Sequence, residues 1–239
     1  MEQVSSLRWN DCPVCGGTGV QFAWNTQLRG ALGMGASKLK APGADFATTP
    51  LDIVMVSPAL LFRVSGHDTG EPYFGRSGAN RFDDPSKVVA KRYGTCYMGL
   101  SLKVAFAESV LHDLEPTKGS FSLPAIEITR RFALTFKGPE LRLANLTGSS
   151  LLVLNGNAEL SGTSDYKVTQ KWGRAVASHP ANVDGFLYMS RRISDGLAVV
   201  LFQRHGSPAP DVTKDLSWQL DDHPLYMDTV KELRVKPQP

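Results

Sequence analysis

Two Asp-Gly pairs constrain this chain more tightly than any other feature. Asp184-Gly185 opens into the run GFLYMS, and Asp195-Gly196 opens into LAVVLFQR. An Asp-Gly step turns the chain at little steric cost, and apolar runs of this length bounded by such turns read as strands. The second run follows the first after a short polar connection, so the two are predicted to fold back on each other as a β-hairpin. Further strand candidates are LDIVMV and ALLFRVS near residues 51–65, GTCYMGLS from Gly94, and SLPAIEI, FALTFK and LRLANL between residues 122 and 146.

Two segments carry a helical period instead. In SDYKVTQKWGRAVASH the apolar residues Val168, Trp172, Ala175 and Val176 recur at i, i+4, i+7 and i+8. Ser101 stands at an N-cap position before LKVAFAESVLHD. Strands and helices do not alternate in a βαβ rhythm, so the pattern predicts an α+β fold rather than a doubly wound sheet. Between ALLFRVS and GTCYMGLS lies SGHDTGEPYFGRSGANRF, too rich in glycine for regular structure and long enough to be a functional loop.

Composition narrows the class. The chain has 239 residues, 42% hydrophobic and 21% charged, with a formal net charge of +3. That describes a globular domain able to bury a real core. The charge bias is too small to argue for nucleic acid as a partner. No apolar run approaches bilayer length and the N-terminus lacks a secretory layout, so no membrane association is expected. The three cysteines, Cys12, Cys15 and Cys96, are too few for a disulfide scaffold, and a cytoplasmic location is the expectation. Residues 1–49 read as an N-terminal extension, loose or weakly helical, residues 50–206 as the main domain, and 207–239 as a C-terminal extension with a short helix around DTVKELRV. Cys12-Pro-Val-Cys15 resembles one knuckle of a zinc ribbon, but ligands normally come as four, and no bound metal is expected.

Candidate site residues stand out by their surroundings. At helical spacing Glu108 has Val104, Ala105, Leu111 and His112 as neighbours, with no Lys or Arg to pair with it. A carboxylate there points to water or finds a partner from elsewhere in the fold, because burying an unpaired charge is costly. Arg63 lies within the apolar run ALLFRVS and calls for an anion, either an internal carboxylate or a ligand phosphate held by its planar fork. Arg81 closes the glycine-rich loop, whose amides could also approach a phosphate. Ser190 ends GFLYMS directly before Arg191, and no G-x-S-x-G elbow marks it as an acyl nucleophile.

Taken in order, LFRVS, GANRF, CYMGLSLKVAFAESV and VDGFLYMSRRISDGLAVVLF resemble the RES domain, over about residues 60–205. The specific parts are Tyr97 with Glu108 in the helix that follows, and the D-G-x-x-Y-x-S-R phrase from Asp184 to Arg191; SDYKVTQKW also fits the family's tyrosine and glutamine on a helix. The resemblance implies a split, twisted β core with flanking helices, like that of ADP-ribosyltransferase toxins. It implies consumption of NAD⁺ by phosphorolysis or hydrolysis, with phosphate as a possible co-substrate and no further cofactor. Carried over by motif, Arg63 and Arg81 would hold the pyrophosphate or an incoming phosphate. Tyr97 would stack or hydrogen-bond near the nicotinamide ribose, Glu108 would act at that ribose, Ser190 would orient the substrate, and Arg191 could add positive charge. Val64 stands where the family tends to place an aromatic residue. The resemblance also implies a helix-turn-helix antitoxin of the Xre type, or an immunity protein, as partner. Protein ADP-ribosylation in the same cleft, and a non-catalytic nucleotide-binding module, are the alternatives.

Overall fold

The computed structural model describes residues 38–238. The Cys12/Cys15 knuckle therefore lies outside the described residues, as does most of the N-terminal extension. In chain order the elements are β1 Ile53–Val56, β2 Phe62–Ser65, β3 Gly94–Gly99, α1 Leu102–Ser109, β4 Phe121–Pro124, α2 Ile126–Thr129, β5 Phe132–Lys137 and β6 Leu141–Asn145. Then come α3 Gly148–Val153, α4 Glu159–Gly162, α5 Tyr166–Ala177, β7 Gly185–Met189, β8 Leu197–Gln203, β9 Thr213–Gln219, α6 Tyr226–Glu232 and β10 Val235–Gln238.

The predicted hairpin is the centre of the sheet: β7 and β8 pair antiparallel from Gly185↔Leu201 to Met189↔Leu197. The eight strands run in the order β1-β6-β7-β8-β3-β2-β5-β9. Within this sheet β6 and β7 alone are parallel neighbours, and the crossover such a pair requires is supplied by α3, α4 and α5. The fold is α+β, as the patterning predicts. A continuous apolar run such as LAVVLF arises because β8 is covered on both faces. Ala198, Val200 and Phe202 pack with Trp172 of α5, whereas Val199 and Leu201 pack on the other face with Leu134 and Leu143. A third group of buried side chains lies under α1 and α6, around Leu102, Phe106 and Val230.

Helix α5 presents Trp172 and Val176, both fully buried, while Val168 and Ala175 are only partly covered. Trp172 also ties down the chain before β1: its indole N–H donates to the Lys40 carbonyl at 2.8 Å, and Phe46 packs edge-on against its ring. Ser101 caps α1 by accepting from the Val104 amide at 3.2 Å.

The strand predicted over SLPAIEI is short, ending at Pro124 and giving way to the single helical turn α2. Pro124 has no N–H to continue a ladder. Beyond residue 207 the chain is more than an appendage. β9 pairs with β5 as an edge of the main sheet, and β10 pairs in parallel with β4. The tail helix begins two residues before DTVKELRV, and Val235 at the end of that phrase opens β10. β9 is mostly exposed and polar, so no apolar alternation announces it. Among the described residues no helix is long and apolar enough to cross a membrane.

Candidate active site

The ladder between β2 and β3 consists of one register pair, Phe62↔Gly99. Past that pair the backbones no longer bond, and a cavity of about 550 Å³ opens between β2, β3, α1 and the end of the glycine-rich loop. That volume lies within the range of small-molecule sites. Arg63 spans the split: its Nη1 donates to the Tyr97 carbonyl at 2.9 Å, taking the place of a ladder bond. Its Nε lies 2.9 Å from Glu71 Oε2, an ion pair in which the N–H is not aimed at the carboxylate. The Glu71 side chain is itself buried and accepts from Ser65 Oγ and the Tyr73 amide, each at 2.7 Å. The internal carboxylate is thus Arg63's partner, and its guanidinium forms one wall of the cavity as a positioned cation.

Glu108 faces the same cavity from α1. Its partner is Ser190, at the end of β7. The Ser190 hydroxyl donates to Glu108 Oε1 and accepts from the amides of Arg192 and Ile193, both at 3.1 Å. The Arg192 amide also reaches Glu108 Oε1 at 3.3 Å. Ser190 is only 4% exposed, so its hydroxyl is committed to this arrangement. One carboxylate oxygen is held; among the described residues Oε2 has no donor.

Arg81 is nearly buried. Its Nη1 donates to the Thr163 carbonyl at 2.6 Å, and its guanidinium carbon sits 4.8 Å over the Tyr166 ring. Burial pulls its pKa below the ordinary arginine value; nearby Arg191 adds to this, while Tyr166, Tyr188 and Glu108 oppose it. Arg191 itself is exposed and makes no hydrogen bond or ion pair with another described residue. Val64 lines the cavity beside Arg63, and the ring beneath an arginine is that of Tyr166.

Tyr97 contributes its ring to the wall, but its hydroxyl is engaged elsewhere. It accepts from the Phe82 amide at 3.0 Å and donates to Asp83 Oδ1 at 3.1 Å. Burial, reinforced by Asp83, raises its pKa well above the ordinary tyrosine value. Asp83, which no motif in the sequence marks, organises the loop. Oδ2 accepts from Ser77 Oγ at 2.9 Å and from the Gly78 amide, the Asn80 amide and Asn80 Nδ2, each at 3.1 Å, and Oδ1 accepts from Thr95 Oγ1 at 2.6 Å. The loop amides expected to approach a phosphate therefore converge on an internal carboxylate, which fills the anion-binding concavity they form.

Tyr188, within the Asp184–Arg191 phrase, is a further residue of the site. It borders the cavity with no hydrogen-bond partner among the described residues. Burial, then the Glu108 charge, raises its pKa, so it presents a neutral hydroxyl there. Cys96 points away from this chemistry into the opposite packed face of the sheet. Among the described residues no group of His, Cys, Asp or Glu is placed to hold a metal ion.

The family model of the RES domain matches residues 60–223, a span that takes in every side chain of this cavity and also β9. In fold the chain is similar to a chain of the crystal structure of the M. tuberculosis MbcT-MbcA toxin-antitoxin complex, with a TM-score of 0.52. That similarity covers 80% of this chain and 98% of the other at 14% sequence identity, so it is a likeness of fold. No curated protein matches the chain.

Proposed function

The chain belongs to the RES domain family, and we propose that it binds NAD⁺ in the cavity between β2 and β3 and breaks the nicotinamide–ribose bond, depleting NAD⁺ as a toxin. The observation that carries this reading is the Glu108 carboxylate held by Ser190 on one wall of a cavity whose other walls carry Arg63 and Arg81. When the C–N bond breaks, nicotinamide leaves with both bonding electrons and positive charge builds on the ribose. A carboxylate with one oxygen fixed and the other open to the cavity is the group that stabilises such charge. The pyrophosphate carries two negative charges, which arginine forks bind with a defined orientation that lysine cannot match. Tyr188 supplies a neutral donor for a sugar hydroxyl.

The acceptor at the ribose carbon is water or inorganic phosphate. Water gives ADP-ribose and a released proton; phosphate gives a phosphorylated ADP-ribose. Arg191, exposed and without a protein partner among the described residues, is the cation suited to guide an incoming phosphate. The likeness of fold to a chain of a toxin-antitoxin complex supports an antitoxin or immunity protein as partner in the cell.

The test is a mass spectrum of NAD⁺ incubated with the purified chain, with and without phosphate. Release of nicotinamide that is abolished in Glu108→Gln is the expected result, and the sugar product identifies the acceptor. Label transferred to a discrete protein band would instead place the chain among protein ADP-ribosyltransferases. Intact NAD⁺ that nevertheless binds in calorimetry would make it a non-catalytic module.

A further inference from the structure

The wall formed by residues 77–83 is gripped through both backbone polar groups of the same residues. From inside, Asp83 Oδ2 accepts the amides of Gly78 and Asn80 at 3.1 Å. From outside, Gln170 of α5 sends the two hydrogens of Nε2 to the carbonyls of Gly78 and Asn80, at 2.9 and 3.0 Å. Two side chains far apart in sequence thus hold the N–H and the C=O of residues 78 and 80. Gly78 has φ +76°, and a Cβ there would stand 2.6 Å from the Arg92 guanidinium, which itself donates to the Ser77 carbonyl. The conformation is over-determined for a stretch with no regular structure.

Asn80, one of the gripped residues, and Arg81, next to it, face the cavity, whereas Gln170 does not line it. We propose that Gln170, acting with Asp83, is a positioning residue that sets the 77–83 wall before substrate arrives, so that Asn80 and Arg81 already stand at the binding surface. The role at this cavity rests on reading it as an NAD⁺ site. Preorganisation of this kind lowers the ordering cost of binding and is felt in affinity more than in the chemical step. A loop ordered only by its ligand would leave these carbonyls to water. Here they are satisfied by an amide that can donate but cannot be replaced by a carboxylate.

Gln170→Glu provides the test. Gln170 is partly exposed on α5, and glutamate matches glutamine in helix propensity, so the exchange leaves the core untouched. It sets a carboxylate against two carbonyl oxygens. Hydrogen exchange of the segment around residues 76–83 should accelerate about tenfold or more, the loss expected for one to two hydrogen bonds. KM for NAD⁺ should rise about tenfold with kcat within about threefold of the parent chain. Gln170→Ala, which removes the donor without adding repulsion, should fall between the two. Unchanged exchange in Gln170→Glu overturns the proposal, and so does a fall in melting temperature accompanied by lower kcat at unchanged KM. Exchange is read without substrate. If the parent chain releases no nicotinamide yet the segment loosens as expected, the NAD⁺ reading fails and the positioning of the wall stands.

Discussion

The hydroxyl of Ser190 donates to Oε1 of Glu108, joining the end of β7 to α1 across 82 positions of sequence. Two backbone amides, from Arg192 and Ile193, hold the serine oxygen in place, so the hydroxyl hydrogen has one acceptor left to seek. The serine is thus an orienting group for the carboxylate.

If this pair acts as a unit, Glu108→Gln should lower kcat for nicotinamide release by about 10²- to 10³-fold, the range seen when a group stabilising developing charge is removed. Ser190→Ala should cost about tenfold, and the double variant should be no slower than Glu108→Gln within about threefold. Steady-state rates of the three variants check this. Multiplicative losses would show that the two residues act independently.

The two arginines should fail in different ways. Glu71 keeps only 3% of its side chain exposed beside Arg63, so Arg63→Met strands a buried carboxylate and should cost about 3 kcal/mol in urea unfolding. Arg81→Lys keeps the charge but loses the fork and should raise KM for NAD⁺ about tenfold. Equal unfolding midpoints for the parent and Arg63→Met would refute the structural assignment.

Alkaline pH should destabilise the fold. Burial, with Glu71 adding to it and Arg63 partly offsetting it, pushes the Cys96 thiol from an ordinary value of 9.0 up to about 11. Tyr93, Tyr97 and Tyr188 are raised as well, each mainly by burial. A group whose folded pKa lies above its unfolded value contributes fully below the unfolded value and loses that contribution as pH rises towards the folded one. Cys96 alone should therefore cost on the order of 3 kcal/mol between pH 9 and 11. Urea titrations at pH 8 and 10.5 measure the loss, and Cys96→Ala should show a shallower decline.

Glycine substitutions separate backbone constraint from mere absence of a side chain. A Cβ on Gly185 would stand 2.1 Å from the Val200 carbonyl oxygen, within the central ladder, so Gly185→Ala should lose more than about 2 kcal/mol. Gly162, in α4, has nothing within 4 Å of the corresponding position. Gly162→Ala should be neutral or slightly stabilising in thermal unfolding, since alanine is the better helix former.

Much of the framework was legible because it depends on local pattern. The hairpin of β7 and β8 follows from two Asp-Gly turns, α5 from the spacing of Val168, Trp172 and Val176, and α1 from the Ser101 cap. β9 was not legible, because an edge strand with one polar face has no alternation to betray it. At the site, Glu108 announced itself as a carboxylate on an apolar helix face with no cation at hand, and Arg63 as a cation inside an apolar run. Solvation physics called for an anion beside Arg63 and for either water or a partner beside Glu108, and in neither case did the sequence say which.

Those partners were left to the tertiary structure, because an irregular loop or 82 positions of sequence separate them from the residues they satisfy. Glu71 and Ser190 are ordinary residues until the loop after β2 folds Glu71 back onto Arg63 and β7 carries Ser190 to Glu108. Gln170 could not be read as a grip on the loop, since its bonds depend on register between a loop and a helix separated by about ninety positions. Sequence by itself determined which side chains stood in surroundings that raise the question of a partner. Only the packing of the sheet and its helices decided what satisfied them, because hydrogen bonds of a few tenths of an ångström tolerance are set by the meeting of surfaces and not by periodicity along the chain.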